Sequence, residues 1–209
     1  SAGIMVHEPR PQTRRPREAG VAPQTDTPAP TATLLLTDVC RGRNMAGVEP
    51  GAIRKLLVLE DLPKPANFHG GGSQPIGHGV TSTLKRILGT VPVESDGSAC
   101  FEAPAMRSLY FAALDAQDRS VKQMRSFVTL QPGESASCVG CHEPRAQTTA
   151  SSRPVLAALS RPPSRIEPIA GVPDVLDFPR DIQPILDRHC VRCHNAADRQ
   201  GGVALEGDR

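Results

Sequence analysis

Aromatic residues are scarce: they make up 3% of 209 positions, with one tyrosine and no tryptophan. A core built from this chain must be aliphatic, unless a bound apolar group supplies the mass that large rings usually provide. No apolar run approaches the roughly 20 residues of a transmembrane helix, and no charged-then-apolar signal segment follows Ser1. The net charge of +2 argues neither for nucleic acid nor for an acidic membrane surface. The glycine-rich stretch 68–79 lacks the Gly-Lys-Ser/Thr of a phosphate loop.

What is present is cysteine in a repeated pattern. Four of the six cysteines stand in Cys138-Val139-Gly140-Cys141-His142 and Cys190-Val191-Arg192-Cys193-His194. Cys-x-x-Cys-His is the pattern of c-type haem attachment. Two thiols three positions apart reach the two vinyl groups on one porphyrin edge, and the next residue offers an imidazole to the iron. The expectation is two covalently attached haem c groups, held by Cys138, Cys141, Cys190 and Cys193, with His142 and His194 as proximal ligands. Zinc sites also use Cys-x-x-Cys pairs, but their second pair usually follows within roughly 15–20 residues, far closer than here. Zinc also gives no reason for a histidine after both pairs. A thioredoxin-like redox pair would need a βαβ context that neither copy has.

Residues 1–31 are rich in proline and arginine and read as a linker, with a basic docking arm as the alternative. From 32 to 145 the pattern is of short apolar runs: 34–39, 53–60, 84–93, 99–103, 109–114 and 121–130. Asp96-Gly97 supplies a hairpin turn. This spacing predicts a mainly β fold, an antiparallel β-sandwich with the first haem motif at its end. A second proline-rich linker is expected over 146–177, with one helical turn at 155–159. Residues 178–209 then read as the start of an α-helical cytochrome c domain. Its first helix covers 181–190, with Asp181 as N-cap, Pro184 in the first turn, and Ile182, Ile185, Leu186 and His189 on one face. A strand or loop follows at 201–205. The chain reads as a mature protein or an excised fragment, since little sequence follows His194 to cover a haem.

His69 and His78 lie in the glycine-rich stretch, which is either a surface loop or a segment bringing one of them to the first haem as distal ligand. Met106 and Met124 are further candidates, with core filling as the alternative. The sixth ligand of the second haem is expected from beyond Arg209. Cys40 and Cys100 are either a disulfide pair, which an oxidising compartment would permit, or two small buried hydrophobes.

Three stretches carry a family resemblance: Leu57-Val58-Leu59-Glu60-Asp61-Leu62-Pro63-Lys64-Pro65, Ile87-Leu88-Gly89-Thr90-Val91-Pro92-Val93-Glu94-Ser95-Asp96-Gly97-Ser98, and Ser126-Phe127-Val128-Thr129-Leu130-Gln131-Pro132-Gly133-Glu134. With Ser137 and the first motif, they make residues from about 33 to 145 resemble the middle domain of hydrazine synthase alpha-subunit-like proteins. Asp181-Ile182-Gln183-Pro184-Ile185-Leu186 and the second motif resemble the start of the cytochrome c domain that follows in such proteins. The resemblance implies an upstream β-propeller, absent here, and the rest of a cytochrome c domain as further parts of one polypeptide. It also implies a tyrosine on the first haem iron four residues after the motif histidine, with that histidine serving a zinc. The matching position here is Ala146, and the only tyrosine, Tyr110, falls in an expected strand. His142 is therefore expected on the iron itself, and hydrazine synthesis is not expected.

The leading functional expectation is a dihaem c-type electron-transfer fragment of a larger periplasmic redox protein, with a redox partner protein and neither nucleic acid nor a transmembrane segment. One alternative is a haem oxidoreductase acting on a small nitrogen or oxygen compound at the first haem. The other is a structural docking module.

Overall fold

The computed structural model of the protein describes residues 20, 22–43, 45–62, 84–124, 126–141 and 155–207. The fold is mainly β, with mostly antiparallel sheets and little helix. Its strands are β1 (Thr31–Leu36), β2 (Lys55–Asp61), β3 (Lys85–Pro92), β4 (Ala99–Pro104), β5 (Ser108–Leu114), β6 (Ser120–Gln123), β7 (Val128–Thr129) and β8 (Ser135–Cys138). One sheet has the order β4-β1-β8; the other runs β3-β2-β5-β6, with β7 also on β5.

Alternation explains the shared core. In β1, Ala32, Leu34 and Leu36 are buried while their neighbours are only partly covered, so one face of the strand is apolar. These residues join Phe101 of β4, Leu56 and Val58 of β2, Val91 of β3, and Leu109 and Ala113 of β5 in one hydrophobic cluster. The cluster is aliphatic apart from Phe101, which meets Phe111 edge-on at 5.8 Å between ring centres. Sheet pairing therefore orders the strands, and side chains from both sheets fill the same interior.

Three departures from the sequence pattern matter. The run 121–130 is two strands rather than one. Ala112 pairs with Gln123, but Leu109 pairs with Val128, so the chain gains two residues against β5 between them. The insertion interrupts β6 and β7 and leaves Phe127 exposed. Strand β8 has no counterpart among the apolar runs of the sequence. It pairs in parallel with β1, Leu36 opposite Cys138, so the first motif begins inside a sheet.

The third departure concerns 155–175, expected as linker. These residues lie along both sheets. Leu156 and Ala158 are buried, and the Ala157 and Ala158 amides donate to Asp96 Oδ2 and Ser98 Oγ, each at 3.0 Å. The Arg161 guanidinium pairs with Glu94 at 2.6 Å. Ser164 then bonds to the backbone of β4, and Glu167 to that of β3 through Thr90. Strands β3 and β4 are sheet edges, and the segment supplies partners to groups an edge leaves open. Gly89 (φ 138°) makes the approach possible, because a Cβ there would collide with the Glu167 carbonyl. Proline-rich composition is compatible with this path, since a single strap needs few amide donors of its own.

The helix α1 spans Gln183–His189 and follows a π-type turn at Phe178–Ile182. Asp181 is not its cap. Asp177 caps the turn by accepting from the Arg180 amide at 2.9 Å, and Asp181 instead pairs with Arg180. Pro184 does fall in the first turn of α1. Neither the turn nor the helix contains a buried residue.

Candidate haem-attachment site

The two Cys-x-x-Cys-His motifs are held in opposite ways. In the first, Cys138 ends β8 and its carbonyl accepts from the Thr37 amide at 2.9 Å. The Val139 carbonyl accepts from Thr37 Oγ1 at 2.7 Å and from the Asp38 amide at 3.1 Å. The Cys141 amide donates to the Arg41 carbonyl at 2.7 Å. Residues 37–41 thus form a rail along which the motif runs. Gly42 (φ 142°) closes the rail, and a Cβ there would run into the Cys141 carbonyl. His142, His69 and His78 lie outside the described residues, as do Ala146 and the linker at 1–19.

Both first-motif thiols pack against the hydrophobic core, and Cys40 joins them there. Burial pushes the Cys141 thiol up to about 11; the neighbouring Cys40 and Cys138 sulfurs add to the shift, and the Lys122 ammonium opposes it. Cys141 is therefore a neutral thiol at pH 7, the form whose burial costs least. Three cysteines share this corner, and the sequence offered no reason to bring Cys40 there.

Cys100 is elsewhere. It lies in β4 opposite Leu35, buried, and burial raises its thiol while Arg161 of the strap works against that rise. All six cysteines are thiols, and the pairing of Cys40 with Cys100 left open by the sequence is not formed.

The methionine candidates separate. Met106 follows β4 beyond Pro104, which pairs with Thr31, whereas Cys138 pairs with Leu36 at the other end of β1. Five steps of about 3.3 Å put them about 17 Å apart along the sheet, which removes Met106 from consideration at the first motif. Met124 follows β6 two residues after Lys122, the residue whose charge reaches Cys141, and stays a candidate.

The second motif is a turn rather than a strand. The Cys193 and His194 amides both donate to the Cys190 carbonyl, at 3.1 and 3.0 Å, continuing α1 by one turn. Asn195 then clamps the exit. Its Nδ2 donates to the Val191 carbonyl at 3.1 Å, and its Oδ1 accepts from the Ala197 and Asp198 amides. The tail returns with Leu205 donating to the His194 carbonyl and Gln183 Nε2 reaching the Leu205 carbonyl at 2.9 Å.

Among the described residues, His194 Nδ1 is the one buried side-chain nitrogen or oxygen without a hydrogen-bond partner. The nitrogen that meets iron from such a motif is Nε2, so the open Nδ1 marks a polar atom left unpaired and not the ligand position itself. Leu176, Phe178, Ile185 and Val203 around this module are all exposed. Two thiols, an imidazole and an uncovered apolar surround are groups that a covalent macrocycle would use. No group of three or more potential metal-binding side chains occurs among the described residues.

Residues 51–143 match the family described as hydrazine synthase alpha subunit middle domain. The stretch 51–143 is hydrazine synthase alpha-like. Its fold aligns with a solved chain of Kuenenia stuttgartiensis Hydrazine Synthase at a TM-score of 0.66 and 21% sequence identity, over 87% of this chain. The chain spans 31% of the length of that solved chain. No curated protein matches the sequence. The family match covers β2 to β8 and ends one residue past the first motif's histidine, so this hydrazine synthase alpha-like stretch includes that motif and excludes the second. Among the described residues, no helix is long and apolar enough to cross a membrane.

Proposed function

We propose that this chain carries two covalent haem c groups and transfers electrons as part of a larger extracytoplasmic redox protein. The observation that carries the reading is the second motif: one helical turn at the end of α1 holds the backbone of Cys190, Cys193 and His194. The same five-residue pattern recurs at 138–142.

When bound, each haem supplies an iron that cycles between ferric and ferrous states. The chain does the rest. Cys138 and Cys141 anchor one macrocycle at the end of a sheet, where the rail from Thr37 to Gly42 fixes the thiols before any bond forms. Cys190 and Cys193 anchor the other at the end of α1, with Asn195 holding the exit from the motif. His142 and His194 provide the proximal imidazoles. Exposed Leu176, Phe178, Ile185 and Val203 provide apolar cover that the short helix cannot otherwise bury. The strap at 155–175 binds both sheet edges and leads directly into α1, so the second motif is tethered closely to the β module.

The test is to mature the protein in a periplasm with haem-attachment machinery, then take intact mass and absorption spectra. Two haem masses are expected. Replacing Cys138 and Cys141 by Ala should remove one, and replacing Cys190 and Cys193 should remove the other. A chain that never gains haem mass overturns the reading. Carbon monoxide, added to the variant that lacks Cys190 and Cys193 and so keeps only the first haem, separates electron transfer from the catalytic alternative, since an open first-haem iron would bind it at once.

A further inference from the structure

We propose that, before the first haem is attached, Cys40 and Cys141 form a reversible disulfide that withholds Cys141 from thioether formation. The disulfide stands on the geometry of the rail alone; its effect on haem attachment rests on the function proposed above.

The contacts between the two segments run in step. Leu36 is opposite Cys138, Thr37 and Asp38 bond to Val139, Arg41 bonds to Cys141, and Gly42 abuts the Cys141 backbone. Cys40 therefore belongs to the part of the rail that faces the motif's second half. Gly140 leaves that space open: a Cβ on it would press on the Arg41 carbonyl and the Arg41 Cβ. Cys40 and Cys141 both pack against the hydrophobic core. A disulfide needs Cα atoms about 4.4–6.8 Å apart, and the residue bonded to Cys141 is Arg41, the neighbour of Cys40.

Cys40 is held in a turn, its thiol donating to the Glu49 carbonyl at 3.9 Å, a contact that the disulfide would replace. Its amide donates to Asp38 Oδ1 at 3.0 Å, in a turn closed by the Arg41 amide on the Asp38 carbonyl. Cys138 is fixed differently, its backbone bound into the β1–β8 ladder opposite Leu36. The chemistry balances with a disulfide oxidant such as oxidised glutathione. Cys40 and Cys141 each lose a hydrogen, one sulfur–sulfur bond forms between them, and the oxidant is reduced to two thiols. A dithiol reverses the exchange and returns Cys141 to the haem site.

The experiment uses the full chain made without haem-attachment machinery, oxidised with glutathione disulfide and mapped by peptide mass without reduction. The wild type and Cys138→Ser should both yield a peptide pair joined through Cys40, lighter by two hydrogens than the separate peptides. Cys141→Ser and Cys40→Ala should both lose it. A Cys138–Cys141 loop as the sole product at this corner, or no Cys40-linked peptide in Cys138→Ser, overturns the proposal. With the machinery present, Cys40→Ala should load the first haem without added dithiol, whereas the wild type should require it. Should the fully reduced wild type take up no haem while the Cys40–Cys141 link still forms, the haem reading fails and the disulfide stands. Equal loading of both proteins without dithiol overturns the withholding role.

Discussion

The carbonyl of Arg41 accepts the Cys141 amide at 2.7 Å, joining the turn after β1 to the first Cys-x-x-Cys-His motif across a hundred residues of sequence. Around that bond the chain has little freedom, and the nearest glycine shows it.

Gly42→Ala should destabilise the protein and disturb the first motif selectively. The position has φ 142°, and the added methyl would meet the Cys141 carbonyl. A cost of ~1–3 kcal/mol is expected for a side chain in this region of backbone space. Denaturant unfolding measures the stability, and intact mass after periplasmic maturation should show loss of one haem while the other is kept.

Ser98→Ala tests whether the strap is part of the fold. Ser98 is fully buried; its hydroxyl accepts from the Ala158 amide and donates to Asp96 Oδ1 at 2.6 Å. Removing it leaves a buried amide unpaired, at a cost of about 1–3 kcal/mol. The expected result is a lower unfolding midpoint together with faster proteolysis within 155–175. Unchanged proteolysis there would mean that the strap is held by other bonds.

Asp115 should contribute acid sensitivity. Its carboxylate accepts from the Arg119 and Gln117 amides and from the Arg119 guanidinium, which hold its pKa below the ordinary 3.8. A depressed folded pKa contributes stability above the ordinary carboxylate range, and that contribution is lost as pH falls through the folded value. Asp115→Asn should therefore lower thermal stability at pH 7 and change it little at pH 2, so that its gap from wild type closes on acidification. Thermal melts of both proteins from pH 7 to pH 2 check this.

Asn195→Ala should loosen the second motif and leave the first alone. The amide side chain satisfies two carbonyls before it and two amides after it, and helix-capping bonds of this kind contribute ~1 kcal/mol. Hydrogen exchange at 190–198 should speed up. Haem occupancy at Cys190 and Cys193 should fall, with that at Cys138 and Cys141 unaltered.

Local patterns were readable directly. The two motifs, the apolar runs of most strands and the Asp96-Gly97 turn, where Gly97 adopts φ 85° and donates to the Glu94 carbonyl, all express short-range preferences. Pro184 in the first turn of α1 is another. Asp177 and Asp181 both suit the role of cap; only the path of the preceding strap decides which one meets an open amide.

Nothing local marks β8. Ser135-Ala136-Ser137-Cys138 has weak strand character and becomes a strand because β1 offers it an open edge. The same holds for the strap, whose prolines read as linker until the unpaired edges of β3 and β4 are present to bind it. It holds also for Cys40, which joins Cys141 only because β1 and β8 run in parallel and end together. The sequence by itself determined which residues could carry chemistry, since spacing within a motif is a covalent property of the chain. Tertiary structure alone decided their company, because pairing between distant segments depends on which backbone groups and apolar faces the rest of the fold leaves unsatisfied.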